Sequence, residues 1–185
     1  MTEWFETLTG LQDRVWQLLK CGVADRHAPA RQPTLATVGP DGRPEARTVV
    51  LRRVERSTAL LEVYTDSLSD KMKSLKTSPW AALHVWEPKL DLQIRLQADV
   101  TPSEGDAVAD RWDPLPEAAR LSYGVVPPPG TPIDAALDYE KSADQGRFCV
   151  LTLALVHIDV VHLGEAHRRA AYRADDGWAG QWLVP

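Results

Sequence analysis

The sequence predicts a mainly β protein: a small antiparallel β-barrel with helices at its start, middle and rim. Three observations carry that prediction. From Thr34 onward the apolar pattern has a period of two, as in Thr34–Val38 and Leu60–Thr65, so successive side chains face opposite sides of a sheet. The links between these runs, Gly39-Pro-Asp-Gly42 and Glu55-Arg-Ser-Thr58, are long enough for hairpins but too short for parallel crossovers. Seven or eight such strands would leave long edges exposed unless the sheet closed, which favours a barrel.

The elements follow in order. Trp4, Leu8, Leu11, Val15, Leu18 and Leu19 recur at three- and four-residue spacing, which predicts an amphipathic helix with Gly22 as its stop. Trp4 and Trp16 are expected to pack it onto the barrel. Asp25 to Gln32, with Pro29 nearby and Pro33 after it, reads as a linker. Strands are expected over Thr34–Val38, Ala46–Val54 and Leu60–Thr65, as a three-stranded meander. Ser67 or Ser69 caps a short helix carrying Met72 and Leu75 and ending near Pro79. Strands Trp80–Trp86 and Leu90–Val100 come next, joined around Pro88. Ser103 to Arg120 reads as helical, with Ser103-Glu-Gly-Asp106 as its cap and Pro114 and Pro116 as breakers. Val126 to Pro132 holds four prolines and must be a surface loop, and Ile133 to Gln145 reads as one more helix. Arg147–His162, Ala170–Arg173 and Trp178–Val184 complete the strands, the last two around an Asp175-Asp-Gly177 turn.

Composition narrows the function classes. The 185 residues suit one domain: a helix and linker over 1–32 and a barrel with inserted helices over 33–185. Apolar residues at 44% and charged residues at 25% exclude wholesale disorder. A net charge of −5 supplies no field for nucleic acid. The longest apolar run, Phe148 to Val156, is too short to span a membrane, which takes about 20 residues. Glu3 and Glu6 stand where a secretory signal would be apolar. Cys21 and Cys149 are too few for a disulfide framework, so a cytoplasmic protein is expected. No phosphate-loop, dinucleotide, zinc-protease or nucleophile-elbow motif is present. His157, His162 and His167 recur every five residues, which alternates faces on a strand, so no metal site is expected; His157 and His162 read as half-buried or surface side chains. Most of the seven tryptophans read as core or interface.

The chemistry-bearing run is Gly42-Arg-Pro-Glu-Ala-Arg-Thr-Val-Val-Leu-Arg-Arg53. On a strand, Arg47 and Arg53 face one way and Arg52 the other, and guanidinium groups on both faces of an apolar strand call for an anion or solvent. Arginine suits phosphate because its planar fork bonds two oxygens at once. Downstream, Thr65 ends a strand while Ser69 and Lys71 begin a helix. Hydroxyl, ammonium and helix N-terminus together make a second anion-binding element.

These segments resemble the FMN-binding split barrels related to pyridoxamine 5′-phosphate oxidase. Leu35 to Arg52 resembles the family's strand–turn–strand signature, and Tyr64 to Lys71 its phosphate-binding strand end and helix start. Pro79–Trp86 and Leu92–Leu96 resemble the next two strands, and His167–Tyr172 with Trp182–Pro185 the closing hairpin. The resemblance implies a flavoprotein that binds FMN in a homodimer, with the sites at the subunit interface, and acts as an oxidoreductase on a small molecule. It implies that Arg47, Thr65, Ser69 and Lys71 hold the phosphate, beside Tyr64. Thr48, Val49, Val50 and Leu51 would run along the ring, with Arg52 near both flavin and substrate. Gln93 would contact FMN, and Arg169 would approach the flavin from the neighbouring subunit and stabilise its reduced form. Tyr123 and His167 are the remaining substrate candidates, and Arg120 a further stand-in. Three places depart from the oxidase: Asp70 and Glu165 replace arginines, and His162-Leu163 stands near its flavin-lining tryptophan. The alternatives are pyridoxamine 5′-phosphate oxidase itself, a flavin-storing protein without turnover, or a barrel holding haem or a deazaflavin.

Overall fold

A computed structural model describes residues 3–185. The sheet path runs β2-β1-β5-β6-β7-β4-β3, every pair antiparallel. Its strands are β1 (Thr34–Val38), β2 (Pro44–Thr48), β3 (Leu51–Glu55), β4 (Leu60–Asp66), β5 (Trp80–Glu87), β6 (Leu92–Glu104) and β7 (Phe148–His162). Two more, β8 (Arg168–Arg173) and β9 (Gln181–Leu183), extend from β7. The total is nine rather than seven or eight, because the expected single strand Ala46–Val54 is two. Val49 and Val50 belong to neither ladder: β2 pairs with β1 and β3 with β4. The expected meander is therefore split, and its halves lie at opposite ends of the path. Since those two end strands are consecutive in the chain, the backbone itself joins the ends of the path.

The length of β7 explains how a closed path also carries a side hairpin. Its first half pairs with β4 through Phe148–Ala154, and its second half with β8 through His157–His162. Val156 bulges between the Gln97–His157 and Ala98–Leu155 pairs, where the ladder changes partner. Along β5 and β6 burial alternates residue by residue, as the period of two requires, so Leu83, Val85, Ile94 and Leu96 point into the core.

Helix α1 (Leu8–Ala24) packs Leu11, Val15, Trp16 and Leu19 into that core, with Trp4 against it. Gly22 does not stop the helix, which runs two residues further. It is needed for close approach: a Cβ there would lie 2.6 Å from the backbone carbon of Ala30. Gly22→Ala is therefore expected to destabilise by about 1–3 kcal/mol through overpacking, a fall of about 5 °C in Tm by thermal denaturation.

Helix α2 (Asp70–Thr77) begins where the sequence places it, with Met72 and Leu75 buried. Two helical expectations fail. Ser103 and Glu104 extend β6, and only the single turns α3 (Ala109–Trp112) and α4 (Glu117–Arg120) follow. Ile133 to Asp144 is irregular apart from a bridge between Val126 and Glu140, because Ile133 and Leu137 stay exposed and no apolar face is buried. The closing hairpin turns through Ala174–Asp176 with Gly177 at φ 68°, as its residues imply. No helix among the described residues is long and apolar enough to cross a membrane, and they hold no group of three or more potential metal ligands.

Candidate functional site

The end of β4 and the start of α2 bring three polar side chains into one cluster. Ser69 is the N-cap of α2, yet its hydroxyl caps nothing. Instead its Oγ lies 3.1 Å from Thr65 Oγ1 and accepts from Lys71 Nζ at 3.1 Å, while Thr65 Oγ1 accepts from the same ammonium at 2.9 Å. Thr65 and Ser69 are buried. Lys71 forms no ion pair among the described residues. Burial, and then the nearby Arg47 charge, hold its pKa below the usual lysine value of 10.5. An ammonium without a carboxylate partner, on hydroxyls at a helix start, has the donor set that suits an anion.

Arg47, on β2, is near enough for its charge to act on Lys71, although it is not part of the wall of the cavity that Lys71 lines. Its guanidinium donates to Thr37 Oγ1 at 2.6 Å and to Glu45 Oε2 at 2.7 Å. Thr48, Val49, Val50, Arg52, Tyr64, Thr65, Asp66, Ser69, Lys71 and Tyr123, with Ser122 and Pro129, line one cavity of about 330 Å³. Arg52 lies with its guanidinium carbon 5.5 Å from the Tyr64 ring centre, and its Nε is buried with no partner. Burial pushes the Tyr64 and Tyr123 hydroxyls above the usual tyrosine value, with Arg52 opposing the shift in both. Leu51 is fully buried in the core, and its carbonyl accepts from Arg31, so of the expected ring-lining run it contributes nothing to the cavity wall.

Gln93 and Arg169 lie elsewhere. They stand on opposite sides of Val161 in the β6–β7–β8 ladder, on the outer face of the sheet. Arg169 lines a separate cavity of about 460 Å³ with His84, Arg95, His157 and Asp159. Asp159 fixes it there, accepting from Arg169 Nη2 at 2.8 Å and from Arg95 at 2.8 Å. Burial pushes the Asp159 carboxyl up, but hydrogen bonds and charge from the two arginines outweigh it, so it ionises below its usual range. His167 and Glu165 are exposed in the β7–β8 link. His162 is more buried than expected. It stacks on Phe5 at 4.5 Å and meets Trp4 edge-on at 5.5 Å, and burial, then Arg168, lower its pKa.

Two acids that the sequence did not single out organise the walls. Asp66 accepts from Arg147 Nη2 at 2.6 Å, from Leu68 N–H and from Gly124 N–H, while Arg147 also donates to the Val125 carbonyl. This ties the strap 122–146 to the end of β4. Glu62, also buried, accepts from Arg53 and Arg111 and so ties α3 to β4. A lone acid inside an apolar strand pattern was the available signal for both. Asp70 pairs with Lys73 at 2.8 Å, outside the Lys71 cluster. Arg120 lies over Trp112 and donates to Asp113, away from the cavity wall.

Comparison with known proteins gives the family and the fold. The sequence profile for the FMN-binding domain of pyridoxamine 5′-phosphate oxidase matches residues 13–102. The pyridoxine/pyridoxamine 5′-phosphate oxidase of Acaryochloris marina is 33% identical over 88 residues, 48% of this chain and 39% of that protein. The first curated relatives are matched over less than half of their own length. A pyridoxamine 5′-phosphate oxidase-related, FMN-binding protein of Nostoc punctiforme superposes with a TM-score of 0.75 at 30% identity, covering 94% of this chain and 96% of that one. PhzG of Burkholderia lata, solved with tetrahydrophenazine-1-carboxylic acid, superposes with a TM-score of 0.74 at 21% identity, over 96% and 92% of the two chains. At that identity the likeness is one of fold.

Proposed function

The chain belongs to the split-barrel family of FMN-binding proteins related to pyridoxamine 5′-phosphate oxidase, and from that premise we propose that it is a homodimeric, FMN-dependent oxidoreductase acting on a small molecule. The observation that carries this reading is the Lys71–Thr65–Ser69 cluster, a half-buried cation bonded only to hydroxyls.

The residues fit FMN at both ends. Lys71, Ser69, Thr65 and Arg47 suit a phosphate, and the unladdered Val49-Val50 segment offers apolar surface to a flat ring. When bound, the flavin supplies two-electron transfer. Thr48 and Val50 hold the ring side of the cavity, Tyr64 floors it, and Arg52 with Tyr123 faces the substrate. The free Arg52 Nε favours a substrate with an acidic or strongly accepting group. The acid Glu165, close to His167, argues against pyridoxamine 5′-phosphate itself.

Gln93 and Arg169 would complete the site from a second copy, because within one chain neither lines the Lys71 cavity and Arg169 opens onto a different one. There Asp159, itself paired with Arg95, would hold the Arg169 guanidinium toward the partner's flavin, where a cation stabilises the reduced, more negative ring. Two free cysteines suit a reducing, cytoplasmic setting. The test is to purify the full chain and measure its flavin absorbance and its mass in solution. A yellow dimer supports the reading; a monomer retaining FMN overturns the shared site.

A pH dependence follows. Lys71 loses its proton below the usual 10.5, so the grip on phosphate is lost as pH rises through that lowered value. FMN affinity, read by fluorescence quenching, is expected to fall earlier on the alkaline side than in Lys71→Arg, which stays charged.

A further inference from the structure

We infer that Glu45 is a built-in counter-anion of the phosphate site, one that competes with the flavin phosphate for Arg47 and sets how loosely FMN is held. The inference rests on the phosphate reading above and concerns a residue that reading does not use.

Glu45 and Arg47 are two places apart on β2, so they share a face. Both are partly buried. Glu45 Oε2 accepts from Arg47 Nη2 at 2.7 Å and from Ser74 Oγ at 3.0 Å. Ser74 is fully buried on α2, the helix whose first turn carries Lys71. The carboxylate is therefore tied between the strand that supplies Arg47 and the helix that supplies Lys71. A loose surface pair would show one partner, not a shared oxygen with a buried hydroxyl behind it.

The charge count gives the consequence. Lys71 and Arg47 bring two positive charges, matching a phosphate dianion. Glu45 cancels one of them. The fork of Arg47 already spends donors on Thr37 and Glu45, so a phosphate arriving at Arg47 must share the guanidinium with a carboxylate. Like charges that close repel, and part of the phosphate's binding energy is lost. Lys73 adds no compensating cation, since it pairs with Asp70. The site thus keeps its selectivity for a phosphomonoester while lowering its affinity, so that the flavin exchanges with free FMN.

The test is a titration of the flavin-stripped full chain with FMN and with riboflavin, which lacks the phosphate, followed by flavin fluorescence. Glu45→Gln keeps acceptors for Arg47 and Ser74 and removes only the charge. It is expected to tighten FMN about tenfold and to leave riboflavin unchanged. Glu45→Ser, which removes charge and reach together, is expected to tighten FMN as well. Unchanged or weaker FMN binding in both variants, with the wild type still preferring FMN over riboflavin, overturns the counter-anion. A wild type that binds FMN and riboflavin equally overturns the phosphate reading itself.

Discussion

Lys71→Ala is expected to weaken FMN binding about a hundredfold, measured by fluorescence titration. Lys71 has no acidic partner among the described residues, so its whole charge is available to a phosphate. Loss of a charge-assisted hydrogen bond costs about 1.5–3 kcal/mol, and the half-buried setting puts this one at the upper end. Arg47→Ala is expected to cost less, about tenfold, because Glu45 already neutralises part of that guanidinium. Thermal stability of the flavin-free protein should hardly change in Lys71→Ala. Burial disfavours its ammonium in the flavin-free protein, which holds its pKa below the usual value, and alanine removes that penalty. Equal affinity in wild type and Lys71→Ala would remove the phosphate assignment.

Asp66→Ala is expected to be the most destabilising single change, at about 3–5 kcal/mol, or about 10 °C in Tm. The Asp66 side chain is 4% exposed and that of Arg147 13%. Removing the carboxylate strands a buried guanidinium and leaves the Leu68 and Gly124 N–H groups without their acceptor. The double variant Asp66→Ala/Arg147→Met should lose less than the sum of the single losses, since no unpaired charge remains. Because Gly124 adjoins Tyr123, the same change should also loosen the cavity wall and weaken binding there.

How far the sequence reaches is decided residue by residue. The alternation of Trp80–Glu87 and Leu92–Val100 was legible because one face of each strand meets the core. The Tyr64–Lys71 cluster was legible because its members are close in the chain. The break at Val49-Val50 was not, since two valines continue an apolar alternation and only the tertiary pairing separates the halves. Gly22 read as a helix stop because its role is to admit Ala30, a contact that no local pattern encodes. The segment 133–145 holds enough helix formers to suggest a helix, but without a buried face those propensities do not suffice. Asp66 and Arg147 lie 81 positions apart, so their pairing shows only in the fold.

The valine pair that joins the first and last rungs of the ladder has a thermodynamic corollary. The two end strands of the β2-to-β3 path are one stretch of polypeptide, so neither can fray without pulling on the other, and the flavin, on our reading, lies across that weld. Unfolding of the barrel then becomes a single cooperative event on heating. In the flavin-free chain, a melt followed by tryptophan emission and one followed by circular dichroism should trace the same curve.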